Sequence, residues 1–354
     1  MIHIDGSYME GGGQILRTAL ALSTLTRKPF IADKIRHNRP KPGLKNQHLA
    51  CIRALKRLAK AQVNGARLGS ASIEFNPGDV MFGTFSIDIG TAGSITLLLQ
   101  SLLLPVIFAD DRVRLKLIGG TDTKWSIPID YFSRVILPFF NAFASVEIKK
   151  TKRGFYPKGR GYVELLIHPR FHLNDFIDFF DFKSSLRSKV QAFHLLEKTE
   201  IAKIQGISSA SLKLKRNNVA ERQIEGAVHK FGHLYPVEIE KEYCETASDG
   251  TVITLWTVDK NQNVFMGADA LGERGKRAES VGAEAAGKLL GVIKCDAVVD
   301  HYLADNLIPL LALAGGRIKT SKISGHIRSN VYVCEQFLDV RFNIDEKRNE
   351  IFTK

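Results

Sequence analysis

The sequence has 354 residues, of which 44% are hydrophobic and 25% are charged; this composition is ordinary for a globular protein with a core, and the length favours two domains. Lys and Arg number 50 against 37 Asp and Glu, a net charge of +13, which favours a polyanionic partner such as nucleic acid or nucleotide phosphates. The longest apolar stretch, residues 95–109, is interrupted by Gln100, Ser101 and Pro105. It is too short to span a membrane, so we expect no membrane association.

The cysteines and the N-terminus bear on the cellular compartment. Cys51, Cys244, Cys295 and Cys334 are scattered and form no CxxC pair, so they predict buried thiols in a cytoplasmic protein rather than a disulfide framework or a zinc site. The first residues lack the basic and apolar regions of a signal peptide, and we expect none.

The first predicted element is a strand at residues 3–7, followed by Glu10-Gly11-Gly12-Gly13-Gln14 and a helix over residues 15–26. Three glycines ahead of a helix leave its first backbone N–H groups uncovered, which suits an anion. Arg17 lies about one turn into this helix, and Glu10 stands at the mouth of the loop. A tight turn that needs glycine for its dihedral angles is the alternative explanation.

A basic loop over residues 35–48 comes next, with Pro40 and Pro42 at its centre. Prolines restrict the backbone, so the cations of this loop are held in place. Held guanidinium groups are good phosphate clamps, and a solvated basic loop is the equally weighted alternative. A helix with a basic outer face is predicted over residues 49–61.

A pattern of strand, glycine turn and helix recurs along the chain. Strands are predicted at residues 85–89, 113–118, 163–167 and 295–299, and helices at residues 95–109, 129–144 and 304–314. This weak repetition predicts repeated α/β units. Gln100 is a polar residue in an apolar helix, where it is either a buried, satisfied amide or a ligand contact.

The composition changes near residue 183, and from there to about residue 294 the pattern is that of a separate α/β unit. Strands are predicted at residues 185–196, 202–205, 236–240, 251–258 and 264–268, and helices at residues 218–231 and 278–291. His229 and His233 have the spacing of a metal-binding helix pair, but Gly232 weakens the helix and no third ligand is evident. We interpret them as surface or capping histidines.

Ser324-Gly325-His326-Ile327-Arg328-Ser329-Asn330 lies between a basic segment and a strand-like run at residues 331–334. Imidazole attacks phosphorus well at neutral pH because much of it is uncharged. His326 is therefore either a covalent nucleophile on a loop or a surface histidine in a hairpin turn, and its spacing alone favours the second.

Several segments together resemble the RNA 3′-terminal phosphate cyclases. The matching segments are Glu10-Gly11-Gly12-Gly13-Gln14-Ile15-Leu16-Arg17, Arg39-Pro40-Lys41-Pro42-Gly43-Leu44 with Gln47-His48, Gly90-Thr91-Ala92-Gly93-Ser94, Gly119-Gly120-Thr121-Asp122, Gly154-Phe155-Tyr156-Pro157, Tyr302-Leu303-Ala304-Asp305, and His326 with Asn330. They occur in the family's order and cover nearly the whole chain.

The resemblance implies an α/β (α+β) fold with a large domain of three repeated units, each a four-stranded sheet with two helices. A smaller α/β insert would interrupt it, with the large domain at residues 1–183 plus 297–354 and the insert at residues 184–296. The fold also resembles that of enolpyruvyl transferases, so the fold alone does not decide the function.

The chemistry that the resemblance implies has three steps. His326 attacks the α-phosphorus of ATP and expels pyrophosphate, which gives a covalent histidine–AMP adduct. The adenylate passes to the 3′-phosphate of an RNA. The neighbouring 2′-hydroxyl then attacks that phosphorus, leaving a 2′,3′-cyclic phosphate and AMP.

Roles follow from the same resemblance. Glu10 would hold Mg²⁺ or Mn²⁺, Arg17 and Arg39 would clamp the phosphates of ATP, and Tyr302 would stack on adenine with Pro128 opposite. The remaining nucleotide pocket would be formed by Gln100, Leu303, Ala304, Asp305 and Asn306, and the site for the phosphate and the RNA end by Arg36, Lys41, Gln47 and His48. Asn306 stands where bacterial members often carry glutamine, so one adenine contact is expected to differ.

Two alternatives remain at this stage. A non-catalytic, RNA-binding relative acting in ribosome assembly would lack the nucleophilic histidine, and the presence of His326 with Glu10, Arg17 and Arg39 ranks it below the enzyme. An enolpyruvyl transferase-like enzyme acting on a small anion would form no histidine–AMP adduct. RNA contacts are expected from the general basic surface, and a homodimer is a guess that no sequence feature selects.

Overall fold

The computed structural model describes residues 1–353, in which four four-stranded sheets combine with ten α-helices. The mixed α/β fold that we predicted is confirmed. Each sheet contains one parallel strand pair and two antiparallel pairs.

The first unit has the element order βαβαββ. Its elements are β1 (Ile2–Asp5), α1 (Gly13–Thr26), β2 (Phe30–Asp33), α2 (Asn46–Leu58), β3 (Gln62–Asn64) and β4 (Ile73–Asn76). The strand order is β1-β2-β4-β3, and β1 runs parallel to β2. Helix α1 thus connects two neighbouring parallel strands, as such a crossover requires.

The second unit repeats this plan. Its elements are β5 (Gly83–Asp88), α3 (Ile95–Val106), β6 (Val113–Gly119), α4 (Ile129–Tyr131), a π-helical turn (Phe132–Ile136), α5 (Leu137–Phe140), β7 (Ala144–Lys152) and β8 (Gly161–Pro169). The strand order β5-β6-β8-β7 is equivalent to that of the first unit.

The third unit is split along the chain. Helix α6 (Phe179–Lys189) leads into β9 (Phe193–Leu195), and the unit resumes with α9 (His301–Ala314), β14 (Gly316–Lys319), α10 (Gly325–Phe337), β15 (Phe342–Asp345) and β16 (Glu350–Thr353). Strand β9 pairs in parallel with β14, which completes the order β9-β14-β16-β15. The predicted repetition is therefore present three times.

A separate sheet lies between β9 and α9 in the chain. Its elements are β10 (Ile201–Ser211), α7 (Val219–Phe231), β11 (Val237–Cys244), β12 (Thr251–Asp259), β13 (Gly267–Leu271) and α8 (Ala278–Lys294), with strand order β11-β10-β12-β13. Ile204, Phe231 and Leu289 belong to a hydrophobic cluster of its own. The boundaries at residues 183 and 297 stay a prediction; β9 lies inside the predicted insert range although it pairs with β14.

Three strand predictions are wrong by several residues or entirely, and a fourth, at residues 264–268, shares only residues 267–268 with β13. Residues 331–334 belong to α10, which runs from Gly325 to Phe337. The helix starts there because the hydroxyl of Ser324 caps it by accepting from the backbone N–H of Ile327 (3.1 Å). Residues 185–189 continue α6, and only 193–195 form a strand. Residues 295–299 form no strand, since α8 runs to residue 294 and Val299 makes an isolated bridge to Thr320.

The helices of the three units pack together: α1 of the first unit packs against α3 of the second and α10 of the third, and α10 packs against α9. Cys51 and Cys334 are buried free thiols as predicted, but Cys295 is exposed and Cys244 is partly exposed, which corrects the expectation for those two. Within residues 1–353, no helix combines the length and the apolar character needed to cross a membrane.

Candidate active site

The N-terminal ends of α1 and α2 meet at Gly13. A Cβ atom on Gly13 would lie 2.2 Å from Nε2 of His48 and 3.0 Å from Nη1 of Arg17, so only glycine allows this approach. Nδ1 of His48 accepts from the backbone N–H of Lys45 (3.0 Å), which leaves the ring proton on Nε2. Burial lowers the pKa of His48 to about 3, so His48 presents a neutral donor to the glycine loop.

His326 lies in the first turn of α10, with its side chain about half exposed. Its Nε2 is 3.6 Å from Oε2 of Glu10, and its Nδ1 is 3.9 Å from Oδ2 of Asp305. Burial lowers the pKa of His326 below its ordinary value, and the charge of Glu10 opposes that shift. The ring is therefore mostly neutral at neutral pH and lies between two carboxyl groups.

Glu10 and Arg39 form an ion pair at the mouth of the site, with Oε2 of Glu10 at 3.0 Å from Nη2 of Arg39. The same oxygen faces His326. A Cβ atom on Gly12 would be 3.3 Å from Nη2 of Arg39, and one on Gly325 would be 2.7 Å from Oε1 of Glu10. The glycine loop and the start of α10 thus leave the room that these two side chains occupy.

Arg17 is buried and held by two amide groups. Its Nη2 donates to Oε1 of Gln14 (2.7 Å), and its Nε donates to Oε1 of Gln100 (2.9 Å). Gln100 in turn donates to Oδ1 of Asn306 (3.1 Å). Of the two explanations for Gln100, the satisfied amide is present in the structure. The Nη1 group of Arg17 is left facing Gly13.

Asn330 joins α1 and α9 beneath His326. It donates to Oδ1 of Asp305 (2.6 Å), and its own oxygen accepts from Gln14 (3.0 Å) and Thr18 (2.5 Å). Burial raises the pKa of Asp305 to about 7. The sequence reasoning missed Gln14 and Thr18; the available signal was two polar residues four positions apart on an otherwise apolar helix.

Asp300 caps the N-terminus of α9 and thereby fixes the position of Tyr302 in the first turn of that helix. Its Oδ1 accepts from the backbone N–H groups of Tyr302 (2.8 Å) and Leu303 (3.0 Å), and it also accepts from the hydroxyl of Tyr131 (2.6 Å). Tyr302 is 47% exposed and offers a ring face. Asp300 was also missed, because the helix was predicted to begin at residue 304, whereas α9 begins at His301 directly after Asp300. An Asp a few residues ahead of a predicted helix was the signal for a capping residue.

Some of the predicted site residues lie beside, rather than within, the group of side chains around the glycine loop and His326. Leu303 and Ala304 are fully buried, and Pro128 is buried at the start of α4. Gln47 donates to the backbone carbonyl of Ser94 (3.0 Å), Arg36 donates to that of Lys41 (2.7 Å), and the Lys41 side chain is exposed. The residues that the structure does bring together around the glycine loop and His326 are Glu10, Arg17, Arg39, His48, Gln100, Asp305 and Asn306.

Among residues 1–353, no group of three or more His, Cys, Asp or Glu side chains is arranged to hold a metal ion. His229 and His233 are both exposed in this structure, outside the site. Glu10 is thus a half-exposed carboxylate that pairs with Arg39 and is not part of such a group.

Three βαβαββ units, with a histidine beside Glu10, Arg39 and the glycine loop at the start of α1, define an α/β protein with a candidate anion site. The family model described as RNA 3′-terminal phosphate cyclase matches residues 8–344 of the chain. The protein of that name from Pyrococcus furiosus is 44% identical to this chain, and the alignment covers 97% of this chain and 95% of that protein. The one from Archaeoglobus fulgidus is 43% identical, and the alignment covers 96% of each chain. A third, from Methanosarcina barkeri, is 41% identical, covering 98% of this chain and 97% of that protein. The chain belongs to the RNA 3′-terminal phosphate cyclase family.

Proposed function

We propose that the protein converts the 3′-terminal phosphate of RNA to a 2′,3′-cyclic phosphate in an ATP-dependent reaction, through a histidine–AMP intermediate on His326. The observation that carries this proposal is the position of a neutral imidazole between Glu10 and Asp305, beside Arg17 and Arg39. Family membership supports the overall activity, and this geometry supports the nucleophile.

His326 is suited to attack the α-phosphorus through Nε2. Asp305 lies 3.9 Å from Nδ1, so the attacking tautomer that we propose carries its proton on Nδ1, towards Asp305, and its lone pair on Nε2. The Nε2–phosphorus bond forms as the bond to the pyrophosphate oxygen breaks. The imidazole becomes positively charged in the adduct, and the Asp305 carboxylate stabilises that charge.

The phosphates of ATP meet a preformed set of donors. Arg17 is held in place by Gln14 and Gln100, and His48 adds a neutral N–H. The exposed N–H groups at the start of α1 add a partial positive charge. Such donors are ordered before the substrate arrives, which lowers the reorganisation that the reaction requires.

The donor set also fits a divalent cation that enters with the nucleotide. Mg²⁺ is usually held by one or two carboxylates together with substrate phosphates and water, and Glu10 supplies one half-exposed carboxylate beside the phosphate donors. Glu10 would therefore hold Mg²⁺ or Mn²⁺. The ion, when bound, neutralises charge on the triphosphate.

For the nucleoside we propose Tyr302 as the stacking face, with Gln100, Asp305 and Asn306 along the same side of the pocket. Leu303 and Ala304 are fully buried, so they contribute through the backbone and the packing of α9. Pro128 remains the proposed opposite face, although its ring is buried in this structure.

The last two steps take place at the RNA end. The adenylate moves from His326 to the RNA 3′-phosphate, and the adjacent 2′-hydroxyl attacks that phosphorus while AMP leaves. This ring closure is intramolecular and therefore entropically favoured. Arg36, Lys41, Gln47 and His48 are the proposed contacts to the phosphate and the RNA end, and the net charge of +13 supports a polyanionic substrate.

The nucleotidyl-transfer step is tested by incubating the protein with Mg²⁺ and ATP labelled at the α-phosphorus, followed by a denaturing gel. We expect an acid-labile, alkali-stable label on the wild type and none on His326→Ala. His229→Ala is the matched control, because His229 is exposed and distant in sequence from the site; it should label like the wild type. Equal labelling of His326→Ala, or an unlabelled wild type that still binds ATP, contradicts the proposal.

A further inference from the structure

Two loops of the second unit run side by side and each exposes an aromatic side chain. The backbone N–H of Thr121 donates to the carbonyl of Gly154 (3.0 Å), and Asp122 forms a parallel bridge with Phe155. Beyond this pairing, Trp125 is 95% exposed and Tyr156 is 75% exposed. Two large rings thus stand in water on adjacent loops, where they lose the stabilisation that burial would give.

The backbone at Trp125 is strained as well. Its φ is +63°, in the left-handed region that bulky residues rarely adopt. Such strain costs of order 1–3 kcal/mol and concentrates at functional sites. The turn is closed by Ser126, whose hydroxyl donates to the carbonyl of Thr123 (3.0 Å). The exposure of the indole and the strained backbone of Trp125 both cost free energy, and core packing explains neither.

These loops border the candidate active site. A Cβ atom on Gly159 would be 2.7 Å from Cα of Ala92, so the second loop packs on the segment that contains Ser94. The carbonyl of Ser94 accepts from Gln47, and Gln47 precedes His48 at the start of α2. A chain of direct contacts thus joins the aromatic loops to the phosphate donors around Gly13.

Cations accompany the two rings. Lys124 is next to Trp125 and pairs with Glu273 (3.0 Å), while Lys158 and Arg160 follow Tyr156 in the same loop and are exposed. We call Lys124, Trp125, Tyr156, Lys158 and Arg160 the aromatic–basic surface. Exposed rings with neighbouring cations match a strand of nucleotides, whose bases stack while the phosphates pair with the cations.

We propose that the aromatic–basic surface binds the single-stranded RNA just upstream of its 3′-phosphate, with bases stacked on Trp125 and Tyr156. The proposal rests on the proposed function, since it concerns the RNA that this site would cyclise. Stacking on aromatic rings tolerates any base, so the surface would hold RNA ends with little sequence preference. The cations favour this polyanion over an apolar protein segment.

Binding can be tested without catalysis, because the chain has two tryptophans and only Trp125 is exposed; Trp256 is 5% exposed. Adding a 3′-phosphorylated oligoadenylate of about ten nucleotides, without ATP, should quench the solvent-exposed emission of the wild type through base stacking. Trp125→Phe should lose the quenching and retain most of the affinity. Unchanged Trp125 emission at saturating RNA contradicts the proposal.

Catalysis supplies the second test. Each stacked base is worth about 1–3 kcal/mol, which is roughly 5- to 150-fold, so the double variant Trp125→Ala/Tyr156→Ala should cyclise this oligonucleotide with kcat/KM lowered by about 30-fold or more. Labelling of His326 by ATP and the cyclisation of a nucleoside 3′-phosphate should stay unchanged. Phe180→Ala, which removes a 69% exposed aromatic on α6, is the matched control and should cyclise the oligonucleotide like the wild type.

The two proposals fail in different ways. A wild type that binds RNA through Trp125 but never forms a cyclic end contradicts the proposed function and leaves the RNA surface standing. A wild type that cyclises RNA, and whose double variant cyclises the oligonucleotide equally well, contradicts the surface and leaves the function standing.

Discussion

The Nε2 atom of His326 lies 3.6 Å from a carboxylate oxygen of Glu10, while its Nδ1 atom lies 3.9 Å from one of Asp305. The two carboxyl groups differ in environment. Glu10 is half exposed and paired with Arg39, whereas Asp305 is buried and bonded to Asn330. The Nε2 edge of the ring is thus open to substrate, and the Nδ1 edge faces the protein interior.

The first prediction concerns the charge of His326. Burial lowers its pKa, the charge of Glu10 raises it, and Arg17, Arg39 and His301 lower it further. Glu10→Gln removes the opposing charge, so the pKa of His326 should fall below that of the wild type. The measurement is an NMR titration of the ring proton, assigned with His326→Ala, in protein without nucleotide. A wild-type pKa above 6.5, or a rise in Glu10→Gln, contradicts this electrostatic description.

The second prediction concerns the contact at Gly13. Gly13→Ala would place a methyl group 2.2 Å from His48 Nε2, so His48 and Arg17 must move. A displacement of about 1 Å can cost roughly 100-fold in rate, and we expect a loss of that order in the labelling of His326. Gly291→Ala in α8 is the control, since a Cβ there meets nothing within 4 Å. Wild-type labelling by Gly13→Ala would show that the phosphate donors need no such close packing.

The third prediction concerns the pH dependence of stability. The pKa of Asp305 is about 7 when folded, against an ordinary value of 3.8. Folding therefore favours the protonated form, and this residue's contribution to stability is full below pH 3.8 and is lost as the pH rises to about 7. Asn cannot ionise and still accepts from Asn330. Relative to wild type, Asp305→Asn should gain about 2–4 kcal/mol in the free energy of unfolding between pH 4 and pH 8.

Urea unfolding of both proteins at several pH values measures this difference. The unfolding free energies of wild type and variant should converge at acid pH and separate at alkaline pH. A constant offset between the two proteins across the range would mean that Asp305 ionises normally in the folded state.

The fourth prediction concerns a buried cluster between the second unit and the inserted sheet. Arg153 pairs with Asp122 (3.3 Å), Asp130 (2.7 Å) and Glu242 (2.8 Å), and its side chain is 4% exposed. Removing one partner of a buried ion pair leaves uncompensated charge and costs about 3–5 kcal/mol. Arg153→Met should therefore destabilise the protein by that order.

The matched control is Lys152→Met, at the exposed neighbouring position of β7. It should change the free energy of unfolding by less than about 0.5 kcal/mol. Thermal or urea unfolding at pH 7 compares the two variants, and equal stability of Arg153→Met and Lys152→Met would show that the cluster contributes little.

Periodicity predicted α1 and the α3 helix well, because their apolar residues recur at helical spacing over more than ten positions. It failed at residues 331–334, where a short run of β-branched and aromatic residues is typical of a strand. There Ile327, Val331, Cys334 and Phe337 form one buried helical face. The strand predicted at residues 185–196 contains β9 but is much too long, and it was assigned to the insert. Strand β9 has only three residues, and its partner β14 follows the whole inserted sheet in the chain.

The resemblance identified the candidate residues of the site, but local sequence could not place them together. Gln14 and Asn330 are 316 positions apart and share a hydrogen bond. Tertiary packing of α1 against α10 creates that contact, and no local pattern encodes it. Polar side chains in apolar helical segments, such as Thr18 and Gln100, were the one sequence signal for such a network.

The most direct measurement uses two RNA oligonucleotides with a labelled 3′-phosphate, one with a terminal 2′-hydroxyl and one with a terminal 2′-deoxy sugar, each incubated with the protein, ATP and Mg²⁺. The first should become phosphatase-resistant with one AMP released per end. The second should accumulate an adenylated end that cannot cyclise, and His326→Ala should produce neither. Cyclisation of the first RNA by His326→Ala, or without ATP, would contradict the histidine–AMP route.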